Sequence, residues 1–164
     1  MKKIIIATML LLTGRNLLYA QQPTGDEARI RGEWILSKVE TKLHAQEDGR
    51  LLEEKVFTTP ESTHVINGWV PWNLKFLERE CIVTHRNGME GGLYQVTNNG
   101  ELKYFPEERS GPATPLPVPR FVIRYSLSQE HTLVLHMPSG YYKDNDRGLA
   151  VRLEYTCYYQ QRLK

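Results

Sequence analysis

The sequence lacks the motifs that usually mark an enzyme. Among its 164 residues there is no Gly-x-Ser-x-Gly nucleophile elbow, and no Ser/His/Asp set stands out from the other polar residues. Neither cysteine follows a helix start that would lower its pKa and make it a nucleophile. We therefore predict that the protein is not an enzyme and that it uses no cofactor.

Metal-binding patterns are missing as well. The five histidines are scattered, and His131 and His136 fall on opposite faces of a predicted strand, so they cannot hold one ion together. Residues 144–148 (Asp-Asn-Asp-Arg-Gly) resemble the start of a calcium loop. The glycine comes one position early, however, and Tyr155 stands where a bidentate glutamate belongs. We predict a turn at 144–148 and no metal site.

Long apolar runs are confined to the N-terminus. Two lysines precede an apolar stretch over residues 4–12, and residues 18–20 (Leu-Tyr-Ala) form a plausible cleavage site, as in a secretory signal peptide. No stretch approaches the roughly 20 apolar residues that span a bilayer as a helix, so no transmembrane segment is predicted. We expect a signal peptide at 1–20 and one domain at 21–164, exported to the bacterial periplasm, the outer envelope or the medium.

Basic residues are not clustered. The chain has 21 Lys and Arg residues and 19 Asp and Glu residues. Three of the basic residues and none of the acidic ones lie in residues 1–20, which leaves 18 basic against 19 acidic residues in the predicted mature chain. Because a nucleic-acid interface needs grouped Lys and Arg side chains, we predict no nucleic-acid partner.

Cysteine is scarce, and Cys81 and Cys157 are the only two. In the oxidising compartment that export implies, an even number of cysteines favours a disulfide. Both residues also fall on the inward faces of predicted strands, as such a bond requires. The alternative is a pair of buried free thiols, which behave as small hydrophobic side chains. Of the two, the disulfide is the prediction.

What the sequence does contain is the pattern of an antiparallel all-β protein. Asx-Gly pairs at 48–49, 67–68, 87–88 and 99–100 predict tight turns between β-rich runs. Helical signals are limited to one turn at 26–29 and a weaker contender at 72–80. The predicted strands lie at about 32–42, 50–58, 62–67, 75–86, 91–97, 101–105, 120–128, 131–137 and 149–160.

These eight or nine strands predict an up-and-down antiparallel β-barrel with a short N-terminal helical turn, since closing a meander removes its exposed edges. An open sandwich of the same strands is the alternative. A proline-rich segment at 106–119 breaks any strand and predicts a long loop. Apolar residues alternate along the two clearest strands. They are Phe121, Ile123, Tyr125 and Leu127, then Leu149, Val151, Leu153, Tyr155, Cys157 and Tyr159.

Gly32-x-Trp34 opens the first predicted strand. Gly32 permits a backbone conformation or a close approach that a side chain would forbid. Trp34 is a large plug whose indole N–H needs an acceptor when buried, so it can close one end of a barrel. This motif, in this position, resembles the N-terminal signature of the lipocalins and of lipocalin-like (calycin-type) secreted barrels. The resemblance implies an arginine packed across Trp34 in a cation–π contact, a role open to Arg162 or Arg152.

The resemblance also implies a small hydrophobic ligand bound inside the barrel. Inward-facing aromatic and apolar side chains, together with the two tryptophans that flank residues 70–71 (Val-Pro), are the candidate ligand-binding residues. They are Trp34, Trp69, Trp72, Phe121, Ile123, Tyr125, Leu153 and Tyr155. The alternative is a cell-envelope interaction or structural module with a filled core, which acts through an outer surface.

Overall fold

The structure is a computed structural model that describes residues 25–58, 70–106 and 119–163. These ranges contain one short helix, α1 (Gly25–Ile30), and nine strands. The strands are β1 (Gly32–Ala45), β2 (Leu51–Phe57), β3 (Asn73–Phe76), β4 (Glu80–His85), β5 (Gly88–Val96), β6 (Glu101–Pro106), β7 (Phe121–Leu127), β8 (Thr132–Asp144) and β9 (Leu149–Gln161). The predicted signal peptide, strand 62–67, turn 67–68, Trp69 and most of loop 106–119 lie outside the described residues.

The nine strands form one antiparallel sheet that closes on itself. The order is β2-β1-β3-β4-β5-β6-β7-β8-β9, and β9 also pairs with β1. Strand β1 pairs with β9 over residues 34–45 and with β3 over residues 32–35. Strand β2 pairs with the second half of β1, at residues 39–44. Eight strands therefore close the barrel and β2 is a ninth strand beside β1, which confirms the predicted all-β barrel.

The barrel has two ends with different contents. The lower end holds α1, the start of β1 and the turn between β7 and β8. The upper end holds the turns that follow β1, β4 and β8. The Asx-Gly pairs at 48–49, 87–88 and 99–100 all lie at turns between consecutive strands, as predicted. The turn predicted at 144–148 joins β8 to β9.

Two of the differences from the predicted strands change the path of the chain. The single strand predicted at 75–86 is two strands, because the chain turns after Phe76 and the Leu77 N–H donates to Glu80 O at 2.8 Å. Leu77 lies at this turn and is exposed. Strand β8 continues past a bulge between Met137 and Gly140, so Tyr141 and its neighbour lie in a strand rather than in the predicted loop. The segment 72–80, which had some helical signals, contains β3 and the start of β4 instead of a helix.

Trp34 is buried at the lower end of the barrel. Its side chain is 1% exposed, and the indole N–H donates to Ile30 O at 2.6 Å. Gly32, two residues earlier, has a φ of 127°, and a Cβ at this position would lie 3.0 Å from Gln161 Nε2. The chain thus enters β1 through a conformation that favours glycine, and α1 lies against the indole that plugs the barrel.

The predicted disulfide between Cys81 and Cys157 is wrong, since both cysteines are free and buried. Their side chains do lie on core-facing positions, but Cys81 is in β4 and Cys157 in β9, with β1 and β3 between these strands in the sheet. Three strand spacings amount to about 14 Å around the wall. A disulfide requires Cα atoms within about 7 Å, so a shared inward face does not bring the two sulfur atoms together.

Candidate functional site: a cavity in the upper half of the barrel

A cavity of about 980 Å³ occupies the upper half of the barrel. Its wall is formed by residues of β3 to β9 and by the segment that leads into β3. Most of the lining is apolar or aromatic and includes Leu74, Phe76, Val83, Leu102, Tyr104, Phe121, Ile123, Leu135, Met137, Leu153 and Tyr155. Such a volume and lining are typical of sites that enclose a small apolar molecule.

The lower half of the barrel is filled by side chains that do not reach the cavity. Ile30, Trp34, Leu133 and Tyr159 are each 0–1% exposed and belong to one packed core. The Tyr159 hydroxyl donates to Pro71 O at 3.0 Å, and Pro71 lines the cavity. The cavity therefore rests on a packed lower half that includes the Trp34 plug.

The predicted ligand-binding residues divide between these two halves. Phe121 and Ile123 line the cavity, as do Leu153 and Tyr155. Trp34 and Tyr125 are buried in the core and are not part of the cavity wall. Trp72 is half-buried outside the cavity wall, and Trp69 lies outside the described residues. Alternation along a strand thus identified inward faces, but it could not distinguish the filled level of the barrel from the hollow one.

One glycine shapes the wall between β5 and β6. A Cβ placed on Gly92 would lie 2.3 Å from Phe105 O and 2.7 Å from the ring of Tyr104. Distances this short mean that any side chain here would displace the β6 backbone. Gly92 therefore allows Tyr104 to pack close against β5, from where its ring lines the cavity.

Polar groups in the cavity wall gather near the upper opening. His85 ends β4, Glu90 lies near the start of β5, and Arg120 immediately precedes β7. Arg120 Nη1 donates to Glu90 Oε2 at 3.2 Å, and His85 Nε2 lies 3.5 Å from Glu90 Oε1. We call these three side chains the mouth cluster. Sequence reasoning missed it, because its members come from three elements and follow no shared spacing.

Arg120 is held at the boundary between the cavity and the surface. Its backbone N–H donates to Tyr104 O at 2.9 Å. Its guanidinium carbon lies 5.2 Å from the centre of the Phe121 ring, close enough for a cation–π contact. The side chain of Arg120 is 50% exposed, whereas Phe121 lines the cavity. The charge therefore stays near water while the aromatic ring beneath it faces the apolar interior.

The two thiols are poorly suited to covalent chemistry. Burial raises the pKa of Cys81 to about 12, with a smaller contribution from the charge of Glu90. Burial alone raises the pKa of Cys157 to about 12. Because the thiolate is the nucleophilic form, both side chains act as packing groups near neutral pH, and Cys81 forms part of the cavity wall.

The two arginines that the resemblance offered for a contact with Trp34 both pair with glutamates. Arg162 Nη1 is 3.5 Å from Glu33 Oε1, and the Arg162 N–H donates to Glu33 O at 2.8 Å. Arg152 Nη2 is 2.9 Å from Glu154 Oε1. In the described part of the chain, the cation–π contacts join Lys38 to Tyr158 and Arg120 to Phe121, so the contact expected at Trp34 is not observed.

Within residues 25–58, 70–106 and 119–163, no three His, Cys, Asp or Glu side chains are grouped so that they could hold a metal ion. No helix in these same ranges is long and apolar enough to cross a membrane.

Comparison of the chain with protein-family models, with curated proteins and with solved structures found no match. The barrel and its cavity are therefore the basis for a functional proposal.

Proposed function

We propose that this protein binds a small, mainly apolar ligand in the upper cavity of the barrel. The observation that carries the proposal is a hollow of about 980 Å³ above a packed lower half, lined mostly by apolar and aromatic side chains. An unfilled apolar space of this size forfeits packing contacts, so a protein that keeps one gains most when a ligand fills it. Export, predicted from residues 1–20, would make the protein a carrier or sensor outside the cytoplasm.

Blocking the cavity tests the proposal. Ile123 faces the cavity, whereas Val122, the preceding residue of β7, is exposed on the outer face. Ile123→Trp should reduce the affinity for a fluorescent apolar probe at least about tenfold, because the indole occupies the site. Val122→Trp should leave the affinity unchanged, since the same indole then points away from the cavity.

Circular dichroism and urea unfolding of both variants establish that each retains the barrel before affinities are compared. Equal probe affinity for the two variants would place the probe outside the cavity. No saturable binding to the unaltered protein would overturn the carrier proposal and leave the outer-surface interaction module. Extraction of the denatured protein followed by mass spectrometry should, in addition, reveal an apolar compound that co-purifies with it.

A further inference from the structure

We propose that the ligand is an amphiphile, with an apolar body in the cavity and a compact anionic head group bound at the mouth cluster of His85, Glu90 and Arg120. This inference rests on the proposed function and deepens it by naming the class of ligand. It begins from the uneven distribution of polar groups in the wall. The wall of the cavity is mostly apolar, whereas the mouth cluster brings an arginine, a histidine and a carboxylate to its upper opening.

The remaining hydrogen-bonding capacity of Arg120 favours a ligand that accepts hydrogen bonds. Both oxygens of Glu90 already have partners, Oε1 at His85 and Oε2 at Arg120. Arg120 uses one N–H on Glu90, and a guanidinium carries five N–H donors. The unused donors of Arg120 can therefore bind the oxygens of a carboxylate or phosphate, for which the planar guanidinium is well suited.

His85 also has a polar atom at the opening that no group in the described part of the chain satisfies. Its Nε2 faces Glu90, while Nδ1 is buried and has no hydrogen-bond partner among the described residues. A buried ring nitrogen without a partner carries a desolvation cost that a ligand can relieve. Glu90 contacts both His85 and Arg120 and is a positioning residue that holds them at the opening.

The position of Arg120 fits a ligand that enters from the upper end. Its guanidinium lies over Phe121, whose ring faces the cavity, and is half exposed to water. A head group bound here keeps contact with solvent, while the chain attached to it passes into the apolar interior. The full cost of burying a charge is thereby avoided.

The test compares single-chain probes of equal length with different head groups. Decanoate, decyl phosphate, decan-1-ol and decylammonium are each used to displace the fluorescent probe, below their aggregation concentrations. The unaltered protein should bind decanoate, decyl phosphate or both at least about tenfold more tightly than decan-1-ol. The tighter of the two anions identifies the head group. Equal affinity for the acids and the alcohol, or a preference for decylammonium, would overturn the inference.

Arg120→Gln and Arg124→Gln form a matched pair of variants. Arg124 lies in β7, the strand that Arg120 immediately precedes. Its side chain is exposed and is not part of the cavity wall. Arg120→Gln should remove the preference for anionic probes over decan-1-ol, while Arg124→Gln should retain the preference. An unchanged preference in Arg120→Gln would refute the role of Arg120. If decan-1-ol and the acids all fail to bind the unaltered protein, the proposed function itself has failed.

Discussion

The two halves of this barrel have the same strands but different interiors. In the lower half, Trp34, Leu133 and Tyr159 fill the space between the walls and are almost fully buried. In the upper half, side chains such as Leu153 and Tyr155 face a cavity and remain only partly buried. Stability should therefore depend mainly on the lower half, and binding on the upper half.

The largest expected loss of stability follows removal of the plug. Trp34→Ala should lower the free energy of unfolding by about 3–5 kcal/mol, because it opens a void and leaves the Ile30 carbonyl without its indole partner. Ile35→Ala, at the next position of β1, changes a side chain that is 42% exposed and should stay within about 0.5 kcal/mol of the unaltered protein. Urea unfolding measures both. Similar losses for the two variants would show that the lower end is not closed by Trp34.

Substitution of two leucines, one in each half, tests whether stability depends mainly on the lower half. Leu133→Ala should cost about 2–5 kcal/mol of unfolding free energy, since Leu133 is 0% exposed in the packed core. Leu153→Ala should cost about 1 kcal/mol, because one side of Leu153 already faces the cavity and has fewer packing contacts to lose.

Probe affinity should show the opposite order. Leu153→Ala alters the cavity wall and should change the affinity for the fluorescent probe, whereas Leu133→Ala should leave it within about twofold as long as the protein is folded. A larger loss of stability for Leu153→Ala than for Leu133→Ala would contradict the division into a packed half and a hollow half.

A further prediction concerns stability at alkaline pH. The pKa of Cys157 is 9.0 in its ordinary state and about 12 in the fold. Above pH 9 the unfolded chain therefore loses a proton that the folded chain keeps. Stability should fall as pH rises through this window, by about 1.4 kcal/mol per pH unit for each such thiol. Cys81 adds the same effect, and Tyr125, whose pKa is raised to about 12 by burial and by Asp26, contributes above pH 10.

Unfolding measured under reducing conditions from pH 8 to pH 11 tests this dependence. Cys157→Ala should give a shallower decline than the unaltered protein, and Thr156→Ala, a change at the neighbouring non-ionising residue, should not alter the slope. The same slope in all three proteins would show that Cys157 is not buried as a neutral thiol. Thiol titration of the denatured protein should find two free thiols per chain, in agreement with the absence of the disulfide.

Much of the barrel could be predicted from local patterns. The turns at 48–49, 87–88 and 99–100 and the alternation in β7 and β9 follow from turn chemistry and from the two-residue period of a strand. The prediction of one strand at 75–86 was wrong. Its apolar residues follow the two-residue alternation of a single strand, although the chain reverses at Leu77. A turn without glycine or proline leaves little trace in a sequence.

The site was predicted less completely than the fold, for a physical reason. Phe121 and Leu153 could be assigned to an inward face, because facing is set by position along a single strand. The separation of Cys81 from Cys157 depends on how many strands lie between β4 and β9, and the mouth cluster depends on which strand ends meet. Both are properties of the closed sheet.

The sequence by itself determined that the chain forms short antiparallel strands with one apolar face, and that Gly32 and Trp34 begin the first of them. These features depend on neighbouring residues, through backbone freedom, side-chain period and turn preference. Only the tertiary structure decided which level of the barrel is packed and which is hollow. It also decided that the cysteines remain apart and that His85, Glu90 and Arg120 meet at the opening, because each of these outcomes depends on contacts between strands that are distant in sequence.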